Sequence, residues 1–195
     1  MTARITLSEL IETLRGMTDA GPDDYTINNV DYWSDDMMQR VLDRHRRDVF
    51  REQLQPIESM AGGGIVEYRE YRSQYTNFER TDGGTALFFI EDSFGNKTDA
   101  STYSVDYLNG RITFSADQAG KVYYLTGRSY DLNAAAADIW RQKAGHYASA
   151  VNFSTDNHRI DRGAIINNCL NMAAHYEMQA GPTTIRFDRG DMVVK

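Results

Sequence analysis

Between Ile57 and Ser129 the chain is written in short runs of aromatic and β-branched residues, "IVEYREYR", "TALFFIED", "STYSVDYLNGRITFS" and "KVYYLTGRSY", parted by glycine clusters. Such runs fit a pleated, half-buried surface. Asn109-Gly110, between "VDYL" and "RITF", supplies the residue pair a tight hairpin turn prefers, and Gly95-Asn96 offers a second turn. Five or six strands, all antiparallel, are expected from this block.

The flanks have a helical period. Thr6 followed by Glu9 has the spacing of a capping box, Ile5 and Leu10 are placed as its hydrophobic staple, and Leu7, Leu10, Ile11 and Leu14 mark one face. The helix is expected to end at or close to Gly16, and the Gly-, Pro-, Asp- and Asn-rich stretch from Thr18 to Asn29 reads as a loop. Ser34 caps a second helix whose first turn carries Asp35 and Asp36, where the dipole favours acids, with Trp33 and Met38 in the staple positions. Met38, Val41, Leu42, His45 and Val49 follow at helical spacing, and Pro56 lies just beyond the end.

After the β block the helical pattern returns at Asp131, and again from about Arg162 to Gln179, with "NFSTDNH" between them and Gly181-Pro182 as the stop. The remaining "TTIRFDRGDMVVK" is β-prone without a partner in sequence and would reach about 43 Å if extended. The expected architecture is α+β. Helices in residues 1–56 and 130–181 form a small bundle, residues 57–129 a central antiparallel β region, and residues 182–195 an extended C-terminal arm.

A net charge of −7 disfavours a broad face that grips phosphate backbones. The single Cys169 cannot form an internal disulfide, and no cysteine cluster offers a zinc site. No run approaches the roughly 18 apolar residues of a membrane span. Glu9 and Glu12 interrupt the one apolar stretch near the start, unlike a signal peptide. The expected location is the cytoplasm, or a particle assembled there.

Motifs for chemistry are sparse. Cys169 lies in "IINNCLNMAAHY", which suits a buried, inert thiol. There is no Gly-x-Ser-x-Gly elbow and no phosphate loop, so neither catalysis nor a cofactor is expected. His158 with Asp156 and Asp161 could be drawn as the acid–base or metal site of a hydrolase, although Asp and Asn there equally serve a turn or a cap. "DSFGNKTD" lacks oxygen ligands at the alternating positions of a calcium loop and fits a hairpin turn better.

Arg40, Arg44, Arg46, Arg47 and Arg51 form the densest basic group, balanced one for one by Asp35, Asp36, Asp43, Asp48 and Glu52. Read as helix, this is a surface threaded with ion pairs, with contact to an acidic partner next and DNA phosphate last. The 12 tyrosines could stack on sugars or bases if they shared one exposed sheet face, but Tyr68 and Tyr71 fall on opposite faces of a strand.

In "YDLNAAAADIWRQKAGHYASAV", Leu132, Ala136, Trp140, Ala144 and Ala148 fall four apart behind an Asp131 cap. Trp140 is expected to plug the core from this stripe. Ala134, Ala135 and Ala137 lie off it, where small side chains would let a second chain approach closely.

Residues 32 to 50, "YWSDDMMQRVLDRHRRDVF", and residues 130 to 157, "YDLNAAAADIWRQKAGHYASAVNFSTDN", together resemble the head-to-tail connector, or adaptor, proteins of tailed bacteriophages. The first pairs an aromatic residue and a cap with an acidic turn and then Leu42, Asp43 and Arg46; the second is an Asp-headed alanine helix leading to an aromatic and a short turn. The resemblance implies a homo-oligomeric ring, commonly dodecameric, between a portal protein and a tail or neck protein. DNA would pass through it without sequence-specific binding, in the neck of the virion, with assembly in the host cytoplasm. It also implies that a terminus reaches a neighbour, which makes Ile185, Phe187, Met192 and Val193 the expected arm anchors and Arg40 to Arg51 the expected partner contacts. The competing class is a sugar- or protein-binding β domain framed by helices.

Overall fold

The computed structural model describes residues 3–21, 24, 26–27, 30–60, 62, 64–81, 87–149, 154–155, 158–159 and 162–181. A 3-10 turn over Ile5–Leu7 leads into helix α1, Ser8–Thr18, which ends at Asp19 in the left-handed region (φ 50°). The expected capping box does not form. Thr6 Oγ1 donates to Glu79 Oε1 at 2.7 Å, Glu9 accepts from Arg80 Nε at 2.7 Å, and Ile5 is 82% exposed rather than a staple. A charge-assisted bond to a distant carboxylate is stronger than the neutral cap it replaces.

A two-residue ladder of β1 (Thr26–Ile27) and β2 (Val30–Asp31) precedes helix α2, Asp35–Arg44. Ser34 caps α2 as its sequence predicts, accepting from Met37 N at 3.4 Å, and Trp33 and Met38 are fully buried. The helix is shorter than its pattern suggests. It stops at His45, and Arg46–Gln53 forms strand β3, in which Val49 and Glu52 are buried and Arg46, Arg47, Asp48, Phe50 and Gln53 are exposed. The β region therefore begins at Arg46, not Ile57. Arg46, Arg47 and Arg51 do not belong to a helix with Arg40 and Arg44, and Pro56 sits inside β4 (Gln55–Met60), an edge strand that tolerates proline.

Strands β5 (Val66–Arg72), β6 (Phe89–Asp92), β7 (Tyr103–Asp106), β8 (Arg111–Phe114) and β9 (Tyr123–Tyr130) complete two antiparallel sheets, ordered β3-β9-β6 and β4-β5-β8-β7. The Asn109-Gly110 turn joins β7 to β8 as expected. Gly110 has φ 61°, and a Cβ there would lie 2.1 Å from the Tyr75 carbonyl oxygen, so only glycine fits. At Gly95-Asn96, Asp92 Oδ1 accepts from the N–H groups of Phe94 and Asn96, both at 2.9 Å, which makes the stretch a turn.

Four aspartates, three exposed and Asp92 half-buried, brace such turns, and each has its pKa held below the ordinary carboxylate value: Asp92 by the Asn96 side chain, Asp106 by the Asn109 side chain, Asp99 by the Ser101 N–H and Asp117 by the Tyr68 N–H. A carboxylate depressed in the folded state lends stability above its unfolded pKa and loses it as pH falls through the folded one. Urea midpoints are expected to drop below about pH 4, with Asp106→Asn losing part of that dependence. A midpoint that stays flat from about pH 6 to about pH 3 would contradict this.

Tyr71 and Phe114 from the four-stranded sheet meet Tyr123 from the three-stranded one, with ring centroids 5.4 and 4.8 Å apart, so the two sheets share an aromatic core. Strand β9 is the spine of the molecule. Its Tyr123 and Leu125 belong to this core, while Tyr130 enters a second core built by α1, α2 and helix α3, Leu132–Ser149. A short ladder, β10 (Ser154–Thr155) with β11 (His158–Arg159), leads to helix α4, Arg162–Gln179, which packs along α3. Tyr176 of α4 donates to the Met17 carbonyl at 2.9 Å, and Lys143 of α3, 4% exposed, donates to the Asp19 carbonyl at 2.6 Å and pairs with Asp24 at 2.9 Å. Among the described residues no helix is long and apolar enough to cross a membrane.

Two readings of α3 need correction. Ala135 and Ala137 are not an outward flank: they are 0% and 1% exposed within the chain itself, and Ala135 and Ala136 share the core with Leu10, Trp33 and Leu42. Small side chains here let the chain's own helices approach. The tryptophan that fills this core is Trp33, 0% exposed; Trp140 is half-buried, its Nε1 donating to the Met17 carbonyl at 3.3 Å, and Ala148 on the same stripe is exposed.

Candidate functional site

The corner where α2 turns into β3 lies against the corner where β9 turns into α3. Both reversals need the same few hydrogen bonds: Asp131 N–H donates to the His45 carbonyl at 3.1 Å, and Tyr130 N–H donates to the Asn77 carbonyl at 3.0 Å. Asp131 caps α3 as expected, Oδ1 accepting from Ala134 N–H at 2.9 Å. Its Oδ2 accepts from Gly181 N–H at 2.8 Å, so one carboxylate fastens the end of α4 to the start of α3. Asn133 Nδ2 adds a bond to the Gln179 carbonyl at 3.2 Å.

These contacts enclose a cleft of about 430 Å³ lined by both corners, the 74–77 segment and the last residues after α4. It brings together Arg44, Arg46, Arg47 and Ala134 from among the residues singled out by sequence. The cations differ in how they are neutralised. Arg44 lies 3.7 Å from Asp138, which also meets His45 Nε2 at 2.8 Å and Arg141 at 3.6 Å; Arg46 pairs with Asp48 at 3.1 Å. Arg47 pairs with no carboxylate among the described residues, and its guanidinium lies over the Tyr75 ring, 5.3 Å from the centroid.

The other two arginines are elsewhere. Arg40 pairs with Asp36 at 2.7 Å on α2, one turn apart, as the ion-pair reading predicts. Arg51 sits in a β-bulge with φ 47°, pairs with Glu91 at 3.0 Å and lies over Tyr124 at 4.8 Å, so it braces the sheet. Ala134 is half-buried at the cleft. Ile185, Phe187, Met192 and Val193 lie outside the described residues, as do Asp156 and Asp161, two of the three groups of the drawn hydrolase site.

Cys169 is 3% exposed, and burial pushes its thiol pKa up, as an inert core cysteine requires. Among the described residues no group of three or more His, Cys, Asp or Glu side chains could hold a metal ion. Tyr71, Tyr123 and Tyr130 are buried, so they form no stacking platform. Sequence reasoning missed Gln74, Tyr75, Asn77, Asn133 and Gln179, which line the cleft. They are scattered over more than a hundred positions, and none has a spacing that marks it.

Comparison with known proteins finds no family whose sequence pattern matches this chain and no curated protein similar to it.

Proposed function

We propose that the chain is a non-catalytic structural protein of a virus particle: a head-to-tail connector that forms a homo-oligomeric ring between a portal protein and a tail or neck protein, with DNA passing through. One observation carries this reading. The two stretches that resemble phage connectors, residues 32–50 and 130–157, meet where the first contacts the start of α3, through the Asp131–His45 backbone bond and the His45–Asp138 contact at 2.8 Å. Their pairing makes the cleft that collects Arg44, Arg46, Arg47 and Ala134. With Ala135 and Ala137 inside the subunit, Ala134 is the alanine of that group left to meet a neighbour.

The test is electron microscopy of portal-bearing capsids mixed with the full chain or with a chain ending at Gly181. The full chain is expected to add a ring of density below the portal and the shortened chain to lose most of it. A full chain that leaves the portal bare would remove the connector reading. A shortened chain that binds as well as the full one would remove the role of residues 182–195 alone.

A further inference from the structure

The cleft's chemistry points to a more specific occupant than a generic partner surface. Among its cations, Arg47 is the one with no carboxylate partner among the described residues. Its guanidinium carbon lies over the Tyr75 ring, 5.3 Å from the centroid, a contact that favours the charge. Gly181 lies beside it: a Cβ built there would stand 3.9 Å from Arg47 Nη2. A guanidinium held over a ring, with no carboxylate partner among the described residues, presents a fork of donors matched to a planar, two-oxygen acceptor. Arg44 stands at the same cleft, its contact to Asp138 at 3.7 Å too long for a hydrogen bond.

The walls narrow the choice further. Gln74, Asn77, Asn133 and Gln179 line the cleft, and although the side-chain nitrogens of the last three each make one bond, to Thr76, the Gln179 carbonyl and His175, each keeps a second N–H and its carbonyl oxygen. Each carboxamide can both donate and accept, which suits a peptide backbone carrying N–H and C=O groups; a phosphate backbone carries acceptors only and uses half of that capacity. A volume of about 430 Å³ is that of a few side chains rather than a duplex, and a chain of net charge −7 repels a polyanion as a whole while a single basic cleft attracts a short acidic stretch.

We infer that this cleft is a binding site for an extended acidic peptide segment of a partner protein, with Arg47 gripping one of its carboxylates and Arg44 flanking that contact. The site does not depend on ring formation: a chain that never assembles at a portal still binds the segment.

The probe is a fluorescein-labelled oligoglutamate peptide followed by fluorescence anisotropy at one fixed, low ionic strength. Saturable binding is expected, weakened at least about tenfold by Arg47→Glu and less by Arg47→Lys, which keeps the charge but loses the fork. Arg69→Glu, on β5 and paired with Glu67, leaves binding unchanged because it lies outside the cleft. Arg44→Glu serves as the second variant should Arg47→Glu fail to fold, which thermal melts of each variant report. Absence of saturable binding, or equal weakening by Arg69→Glu, overturns the proposal by reducing the effect to net charge. A double-stranded oligonucleotide that binds more tightly than the peptide, with the same dependence on Arg47, overturns it in favour of phosphate.

Discussion

Replacing Arg4 with methionine is expected to remove roughly 3 kcal/mol of folding stability, although Arg4 lies near the start of the chain and its side chain keeps 34% exposure. The reason is what it leaves behind. Glu79 is fully buried, and its Oε1 accepts from Arg4 Nε at 3.0 Å and from Thr6 Oγ1 at 2.7 Å, while Oε2 accepts from Tyr130 Oη at 2.7 Å. Arg4 also pairs with Asp43 of α2 at 2.6 Å. Burial works against the charge of Arg4, but the Asp43 hydrogen bond and the Glu79 carboxylate outweigh it and hold the guanidinium pKa above its ordinary value. Without Arg4 the cation nearest Glu79 among the described residues is Arg128, 3.7 Å away, too far to hydrogen-bond. A buried carboxylate stripped of its partner is what makes such losses large, so Arg4→Met with Glu79→Gln is expected to recover part of the stability lost by Arg4→Met alone. Urea denaturation of the single and double variants measures both quantities. A loss under about 1 kcal/mol for Arg4→Met would show that solvent or Arg128 satisfies Glu79 unaided.

This network also shows where sequence reasoning stops. Elements whose signal is local were legible: the Ser34 and Asp131 caps, the Asn109-Gly110 and Gly95-Asn96 turns and the antiparallel β block all follow from residues within a few positions of one another. Elements decided by distant partners were not. Thr6 has the spacing of a cap but is claimed by Glu79, 73 positions on. Residues 45–53 keep an apolar spacing compatible with helix, yet Arg46 to Gln53 pair with β9, whose position no local rule reveals. The cleft was legible only in part, because its three arginines cluster in sequence while the amides and the ring that give it its chemistry come from three other segments.

The two tryptophans separate these cases by experiment. Trp33 precedes a capped helix and is 0% exposed, in a core it shares with Leu7, Leu14, Val41, Ala136 and Ile139, with Tyr32 edge-on at 4.8 Å. Trp140 lies on the alanine helix, half-buried, with Lys143 Nζ 5.2 Å from its ring centroid. Truncating a buried indole costs its transfer energy and leaves a cavity whose walls are helices fixed at both ends, so Trp33→Ala is expected to cost about 3–5 kcal/mol. Trp140→Ala gives up less buried area and opens no closed cavity, because its site already meets solvent, so its cost is expected to be about half of that or less. Fluorescence reads the same contrast without unfolding the protein. The Trp140→Phe variant leaves Trp33 as the only indole, and its emission is expected to be blue-shifted and resistant to acrylamide; Trp33→Phe leaves an emitter at longer wavelength that acrylamide quenches. Similar quenching of the two would mean that the core is not closed over Trp33. The small side chains of Ala135 and Ala136 would then have some role other than letting α3 pack down onto the N-terminal helices.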